Sequence, residues 1–315
     1  MRKPRTLIAA MALIALLLGA EACGQAPSTT ATTAPLASPV PTQTAIPSTL
    51  QPVDAQRTVT VNGIERTYLL HIPAALTNES SVPLVFVFHG LGEAANLIQQ
   101  ASGMNEVADA NAFIVVYPNG SGPSSAQSWN AGKCCGYALQ NNVDETEFVR
   151  QIIADLGTVV KIDPKRIYAS GFSNGGLLSY RLACDMSDTF AAVAPVAGVM
   201  LYDQCQPKQP VALIDFHGMS DNIVPFGGGG IVPDFNQPFP PVMDSISAWT
   251  KFDGCAGLPQ TEETNIYAHT AFTSCQKNTA VELYAVKGIG HSWPSQYVVP
   301  TSQIIWEFFK AHPKQ

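Results

Sequence analysis

One six-residue stretch, Gly171-Phe172-Ser173-Asn174-Gly175-Gly176, constrains this chain more than any other. It follows the apolar run Arg166-Ile167-Tyr168-Ala169-Ser170 and precedes Leu177-Leu178-Ser179-Tyr180-Arg181-Leu182-Ala183, which has a helical pattern. A strand that passes through G-x-S-x-G into a helix must turn sharply, and glycines permit this because they carry no Cβ. The turn lifts Ser173 into an exposed, strained position at the N-terminus of the next helix, where backbone N–H groups favour developing negative charge. A Gly/Ser-rich turn without chemistry has the same composition, so the flanking sequence has to decide between the two.

That flanking sequence alternates apolar runs with helical patterns. Thr58 to Gly63 and Arg66 to Ile72 read as a hairpin turning at Asn62-Gly63. Buried strands are expected at Val82 to Phe88, Ala112 to Pro118, Arg166 to Ser170, Ala191 to Val196, Val211 to Phe216 and Val281 to Val286. Helical character runs from the end of the Val82 strand to about Asp109. Asp144 is placed to N-cap a helix whose stripe is Phe148, Val149, Ile152, Ile153, Leu156, Val159 and Val160. Further helices are expected around Val242 to Phe252 and at Thr301 to Ala311, whereas Asn119 to Asn142 and Phe226 to Pro241 read as loops. This order specifies an α/β fold, a mostly parallel doubly wound sheet with helices on both faces.

The first 22 residues read as a signal peptide: Arg2, Lys3 and Arg5, then an apolar run of 12 residues from Leu7 to Leu18, too short to span a bilayer comfortably. Ala20-Glu21-Ala22 suits ordinary signal peptidase, while the small residue before Cys23-Gly24 is like a bacterial lipoprotein box; lipid attachment through Cys23 is the favoured reading, with free secretion as the alternative. Residues 23–56 are Ser/Thr/Pro/Ala-rich and have too few large apolar groups for a core, as expected of a tether. The 259 residues from Arg57 to Gln315 are enough for a single catalytic domain. Removing residues 1–22 leaves 14 basic and 23 acidic residues, a net charge of −9, which argues against nucleic-acid binding.

Of seven cysteines, six remain if Cys23 is lipidated: Cys134, Cys135, Cys184, Cys205, Cys255 and Cys275. An even number in an exported chain argues for disulfides, and the absence of C-x-x-C pairs argues against zinc. Cys255 and Cys275 bracket a polar loop and form a natural pair. Cys134 and Cys135 are expected to reach different partners, such as Cys184 and Cys205, because vicinal disulfides are strained.

A serine hydroxyl needs a base, and the base needs an acid to fix its tautomer. His291, in Gly288-Ile289-Gly290-His291-Ser292-Trp293-Pro294, directly follows the last strand; Asp221, in His217-Gly218-Met219-Ser220-Asp221, follows the preceding one. The order Ser173, Asp221, His291 suits this topology. A surface-turn histidine and a loop aspartate are the bland alternatives, but three such residues, each after its own strand, are far more specific than any one of them. His89-Gly90-Leu91-Gly92, after the Val82–Phe88 strand, offers the Leu91 amide to pair with that of Asn174 as an oxyanion hole. His89 and His217 are read as supporting residues. No cofactor and no metal is expected.

Taken together, His89-Gly90, the Gly171–Gly176 elbow, His217-Gly218-x-x-Asp221-x-x-Val224-Pro225 and Gly290-His291-x-Trp293-Pro294 resemble the secreted polyhydroxybutyrate depolymerase and feruloyl/acetylxylan esterase family of α/β-hydrolases. The lipoprotein-like start, Trp129 with Cys134-Cys135-Gly136, and Trp249 with Gly254-Cys255 resemble its bacterial lipoprotein branch. The resemblance covers nearly all of residues 57–315 and implies an α/β-hydrolase fold with the triad on Ser173, Asp221 and His291. It also implies an exported serine esterase, secreted or lipid-anchored at the bacterial cell surface and expected to be monomeric, acting on a polyester. Feruloyl or acetylxylan esters are the alternative, and a non-catalytic surface-binding hydrolase fold comes behind both. Leu91 stands where many relatives carry cysteine, a tolerable departure because only the backbone is used. Asp144-Glu145-Thr146-Glu147-Phe148 varies an Asp-Asp-Val-Gly-Phe-like run, a change expected to bear on loop packing. Trp129 and Trp293 are the candidate substrate-binding side chains; with the Phe226–Pro241 loop they are read as an aromatic acyl pocket, a groove for a polyester chain, or packing alone.

Overall fold

Val53–Val61 (β1) and Ile64–Ile72 (β2) pair in antiparallel fashion through a turn at Asn62 and Gly63, both with positive φ (51° and 83°). Asn-Gly tolerates that conformation and matches the strand twist. The computed structural model describes residues 53–76 and 81–315. The expected signal peptide, Cys23 and nearly all of the expected tether lie outside these residues. β1 begins four residues upstream of the expected domain start, because Val53 to Gln56 pair with Ile72 to Leu69.

Val82–Phe88 (β3) is buried at every position. Ala95–Ser102 (α1) and Met104–Asn111 (α2) follow, hinged at Gly103 (φ 58°), and lead into Ile114–Pro118 (β4). The loop after β4 contains a short helix, Gly136–Gln140 (α3), that the sequence pattern did not suggest. Glu145–Leu156 (α4) is N-capped by Asp144, whose carboxylate accepts the Glu147 N–H at 3.0 Å. Next come Ile162–Phe172 (β5), Asn174–Asp185 (α5), Ala192–Val196 (β6), Ala212–Gly218 (β7) and Val242–Phe252 (α6). Gln260–Glu263 (β8), Tyr267–Phe272 (β9), Val281–Val286 (β10) and Thr301–Ala311 (α7) complete the described chain.

The ten strands form one sheet in the order β1-β2-β4-β3-β5-β6-β7-β10-β9-β8. From β4 to β10 neighbours are parallel; β2 joins β4, and β9 joins β10, in antiparallel fashion. Side-chain alternation sorts the core into two layers. Leu84, Phe86 and Phe88 of β3 face the layer that includes Phe148 of α4, Leu177 of α5 and Trp249 of α6. Val85 and Val87 face the layer built with Ile98 of α1, Met104 of α2 and Ile305 of α7. Helices therefore cover both faces of a mostly parallel sheet, which places the loops that carry chemistry along the C-terminal edge of its strands. Among the described residues, no helix is long and apolar enough to cross a membrane.

The sulfur pairing corrects the sequence expectation. Cys184, near the end of α5, is bonded to Cys205 with Cα atoms 5.0 Å apart, which leaves neither for Cys134 or Cys135. Those two residues are bonded to each other. Cys255 and Cys275 are paired as expected.

Candidate active site

β5 ends at Phe172 and α5 begins at Asn174, so Ser173 alone makes the turn. Its backbone has φ 54° and ψ −118°, outside the ordinary regions for a residue with a Cβ. Its N–H is held by the Val196 carbonyl of β6 at 2.9 Å. The glycines have a different role from the one read in the sequence. A Cβ at Gly171 would collide with the Gly175 carbonyl, and one at Gly175 with the Phe88 carbonyl. Their absence of side chains lets α5 pack against β5 and β3, while the strained dihedral falls on the serine.

Across the sheet edge, the loops after β7 and β10 converge. The Ser220 N–H donates to the Ile289 carbonyl at 3.0 Å, joining the two loops. A Cβ at Gly218 would collide with the Gly290 carbonyl, so a larger residue would push them apart. The result is a continuous chain of hydrogen bonds: Ser173 Oγ lies 2.8 Å from His291 Nε2, and His291 Nδ1 lies 2.7 Å from Asp221 Oδ2. The other Asp221 oxygen, Oδ1, accepts the Ile223 and Val224 N–H groups at 2.8 and 2.9 Å. Burial opposes the charge on Asp221, but the hydrogen bonds from His291, Val224 and Ile223 outweigh it and hold the carboxyl below the usual carboxylate range. An ionised Asp221 accepts the Nδ1 proton, which leaves Nε2 free to accept the serine hydroxyl proton.

The two expected oxyanion donors flank this serine. In the turn after β3, Gly90 N–H donates to Glu93 Oε2 at 2.9 Å, Gly92 N–H to the Gln127 carbonyl at 2.8 Å, and Glu93 N–H to the Gly90 carbonyl at 3.2 Å. Among the four amides from Gly90 to Glu93, the Leu91 N–H is the one with no acceptor among the described residues. The Asn174 N–H opens α5, where the first amides have no helical acceptor. Both Leu91 and Asn174 line a cavity of about 280 Å³ that also contains Ser173 and His291.

His89 is fully buried and supports that turn. Its Nε2 accepts the Gly120 N–H at 2.9 Å, so the proton sits on Nδ1 and is donated to the Gly90 carbonyl at 2.7 Å. Burial, aided by the nearby Arg66 charge, pushes the imidazole down to about 4 and keeps it neutral. His217 is likewise buried and donates Nε2–H to the Val224 carbonyl at 2.8 Å, bracing the acid loop.

The two tryptophans expected to bind substrate do not line this cavity. Trp129 is fully buried: its Nε1–H donates to the His89 carbonyl at 2.9 Å, and its N–H and C=O are clamped by the Asn174 amide side chain at 2.8 and 3.1 Å. It joins the two donor-bearing turns. Trp293, 9% exposed, lines a separate cavity beside α1 and α7 and donates to Ser302 Oγ at 3.2 Å. The expected 226–241 loop does contribute, through Ile231, Pro233 and Phe239, and the walls are continued by Leu91, Leu177 and the Cys134–Cys135 pair. Sequence reasoning also missed Arg66 and Glu145, a buried pair 2.8 Å apart whose Glu145 carboxylate holds the Asn130 N–H at 3.1 Å next to Trp129. Among the described residues, no group of three or more His, Cys, Asp or Glu side chains is arranged to hold a metal ion.

Residues 66–221 match the family model described as Esterase PHB depolymerase, PHB denoting polyhydroxybutyrate. The chain is 30% identical over 308 residues to a putative esterase, NocK, of Nocardia uniformis subsp. tsuyamanensis, covering 89% of this chain and 88% of that protein. The chain belongs to this esterase family. A second relative, feruloyl esterase B of Piromyces equi, is 29% identical over 234 residues, 72% of this chain, and the chain spans only 42% of its length. The acetyl xylan esterase of Aspergillus awamori shares the fold with a TM-score of 0.58, at 16% identity over 82% of this chain and 99% of that one. In this family, as in the sequence reading, the fold is that of α/β-hydrolases.

Proposed function

We propose that this family member is a serine carboxylic-ester hydrolase of the PHB-depolymerase type that works through an acyl-enzyme on Ser173. The observation that carries the reading is the Ser173–His291–Asp221 chain, with contacts of 2.8 and 2.7 Å, at the sheet edge where the turn and two loops meet. His291 Nε2 removes the Ser173 proton as Oγ attacks the ester carbonyl carbon. The carbonyl oxygen becomes an oxyanion facing the Leu91 and Asn174 amides. When the tetrahedral intermediate collapses, the C–O bond to the leaving alcohol breaks and His291 returns the proton to it. Water, deprotonated by the same imidazole, then attacks the acyl-enzyme, releases the acid and restores Ser173. Asp221 stays ionised throughout and stabilises the imidazolium.

The sequence of the leader supports export, with Cys23 as the lipid-attachment candidate and the cell surface as the place of action. Relatedness to feruloyl esterase B supports a second reading, hydrolysis of plant-cell-wall esters. A panel of polyhydroxybutyrate, methyl ferulate, acetylated xylan and p-nitrophenyl acetate separates the two. Ser173→Ala should lose at least about a thousandfold in rate on every ester that the parent cleaves, with an unchanged fold. Parental rates in that variant would exclude the acyl-enzyme on Ser173.

A further inference from the structure

Residues 226–241, between β7 and α6, form a strap that supplies Ile231, Pro233 and Phe239 to the wall of the Ser173 cavity. Its root is closed on itself: Gly228 N–H donates to Pro225 O, Gly229 and Phe239 exchange two backbone bonds of 2.9 Å, and Val242 N–H donates to Phe226 O. Val232 and Phe239 are buried at this root. The tip, 233–236, is different. Among the described residues, both hydrogen bonds that join it to the opposite wall come from one side chain: Asp234 Oδ2 accepts the Gly136 N–H at 2.6 Å and Oδ1 accepts Gln140 Nε2–H at 3.1 Å. Gly136 directly follows the Cys134–Cys135 pair. Asp234 thus links the two walls of the cavity, Ile231, Pro233 and Phe239 on one side and Leu91 with the cysteine pair on the other.

We propose that Asp234 is a specificity-determining residue: by holding the strap tip on Gly136 and Gln140 it fixes the width of the acyl pocket and selects esters of short, compact acyl groups. This rests on the esterase reading given above. The cavity, about 280 Å³, is just below the range for small-molecule sites, about 300–1,000 Å³, and apart from Glu93, the Cys134–Cys135 pair and the catalytic groups its walls are aliphatic and aromatic. A short aliphatic acyl chain fits such walls; a long one must displace Ile231 and Phe239, which the Asp234 bonds resist.

The test is kcat/KM across p-nitrophenyl acetate, butyrate, octanoate and laurate. The parent should fall by about tenfold or more between butyrate and octanoate. Asp234 has φ 68°, so Asp234→Gly removes the side chain without straining the backbone. That variant should raise octanoate kcat/KM about fivefold or more through a lower KM, with acetate unchanged. Asp234→Asn, which tolerates positive φ and keeps one acceptor oxygen for the Gly136 N–H, should give a profile between those of the parent and Asp234→Gly. Ile231→Ala, which widens the pocket directly, should raise octanoate kcat/KM relative to acetate kcat/KM. A parental chain-length profile in Asp234→Gly would overturn the proposal whatever Ile231→Ala does, as would a parent that cleaves acetate and octanoate equally. A parent that cleaves none of the four esters would instead sink the esterase reading on which it rests.

Discussion

Trp129 ties together the two segments that meet at Ser173. Its indole N–H holds the His89 carbonyl at the start of the Leu91 turn, and its backbone holds Asn174 at the start of α5. Trp129→Phe would leave the buried His89 carbonyl without its donor, at a cost of about 1–3 kcal/mol in stability. Displacement of the Leu91 amide should also lower kcat about tenfold or more, with KM nearly unchanged. Urea unfolding and ester kinetics on the same variant check both; parental kcat would show that the turn is held by other bonds. Ser173, Asp221 and His291 were legible in the sequence because each follows an apolar run, and the chemistry of a serine nucleophile demands partners of those types. Trp129, Arg66, Glu145 and Asp234 were not legible in their roles. The Arg66–Glu145 and Gly136–Asp234 contacts join residues 79 and 98 positions apart, and no local pattern signals them.

At the scale of elements, the approach of α5 to β3 depends on glycine rather than on apolar side chains. Gly175→Ala would drive a Cβ into the Phe88 carbonyl and force the helix away from the sheet. About 1–3 kcal/mol of stability should be lost, together with most of the activity, because Asn174 begins the displaced helix. Gly227→Ala, where nothing lies within 4 Å of the added methyl, should stay within about 0.5 kcal/mol of the parent. Equal effects of the two substitutions would contradict this account. The helices were legible from their stripes; the boundaries of α7 match the expected Thr301 to Ala311. β8 and β9 escaped notice because burial does not specify them. Every residue of β8 is exposed, and only one of β9 is buried, so backbone pairing to β10 defines both.

For the whole molecule, stability should carry the mark of a buried acid. Asp215 on β7 is fully buried and accepts the Tyr180 hydroxyl at 2.7 Å, while its other oxygen has no partner among the described residues. Burial pushes its carboxyl up to about 8, against an unfolded value of about 3.9. A folded pKa above the unfolded one means a contribution to stability that is complete below about pH 4 and is lost as pH rises through about 8. Asp215→Asn keeps an acceptor for Tyr180 and has no proton to lose. The unfolding free energy of the parent minus that of the variant should therefore decline from about pH 4 to about pH 8, and a difference constant with pH would contradict the assignment. The parallel, doubly wound sheet was visible in the sequence as alternating buried runs, and the Asn62-Gly63 hairpin as its antiparallel edge. The bonding of Cys134 to Cys135 was not, since spacing alone weighs against neighbours.

In the proposed mechanism one atom, Ser173 Oγ, is activated by His291 and Asp221. Its most direct test is reaction of the parent protein with a fluorophosphonate probe, followed by peptide mass spectrometry to locate the adduct. One adduct per chain is expected, on the peptide that contains Ser173; no adduct, or one on any other residue, would contradict the acyl-enzyme mechanism.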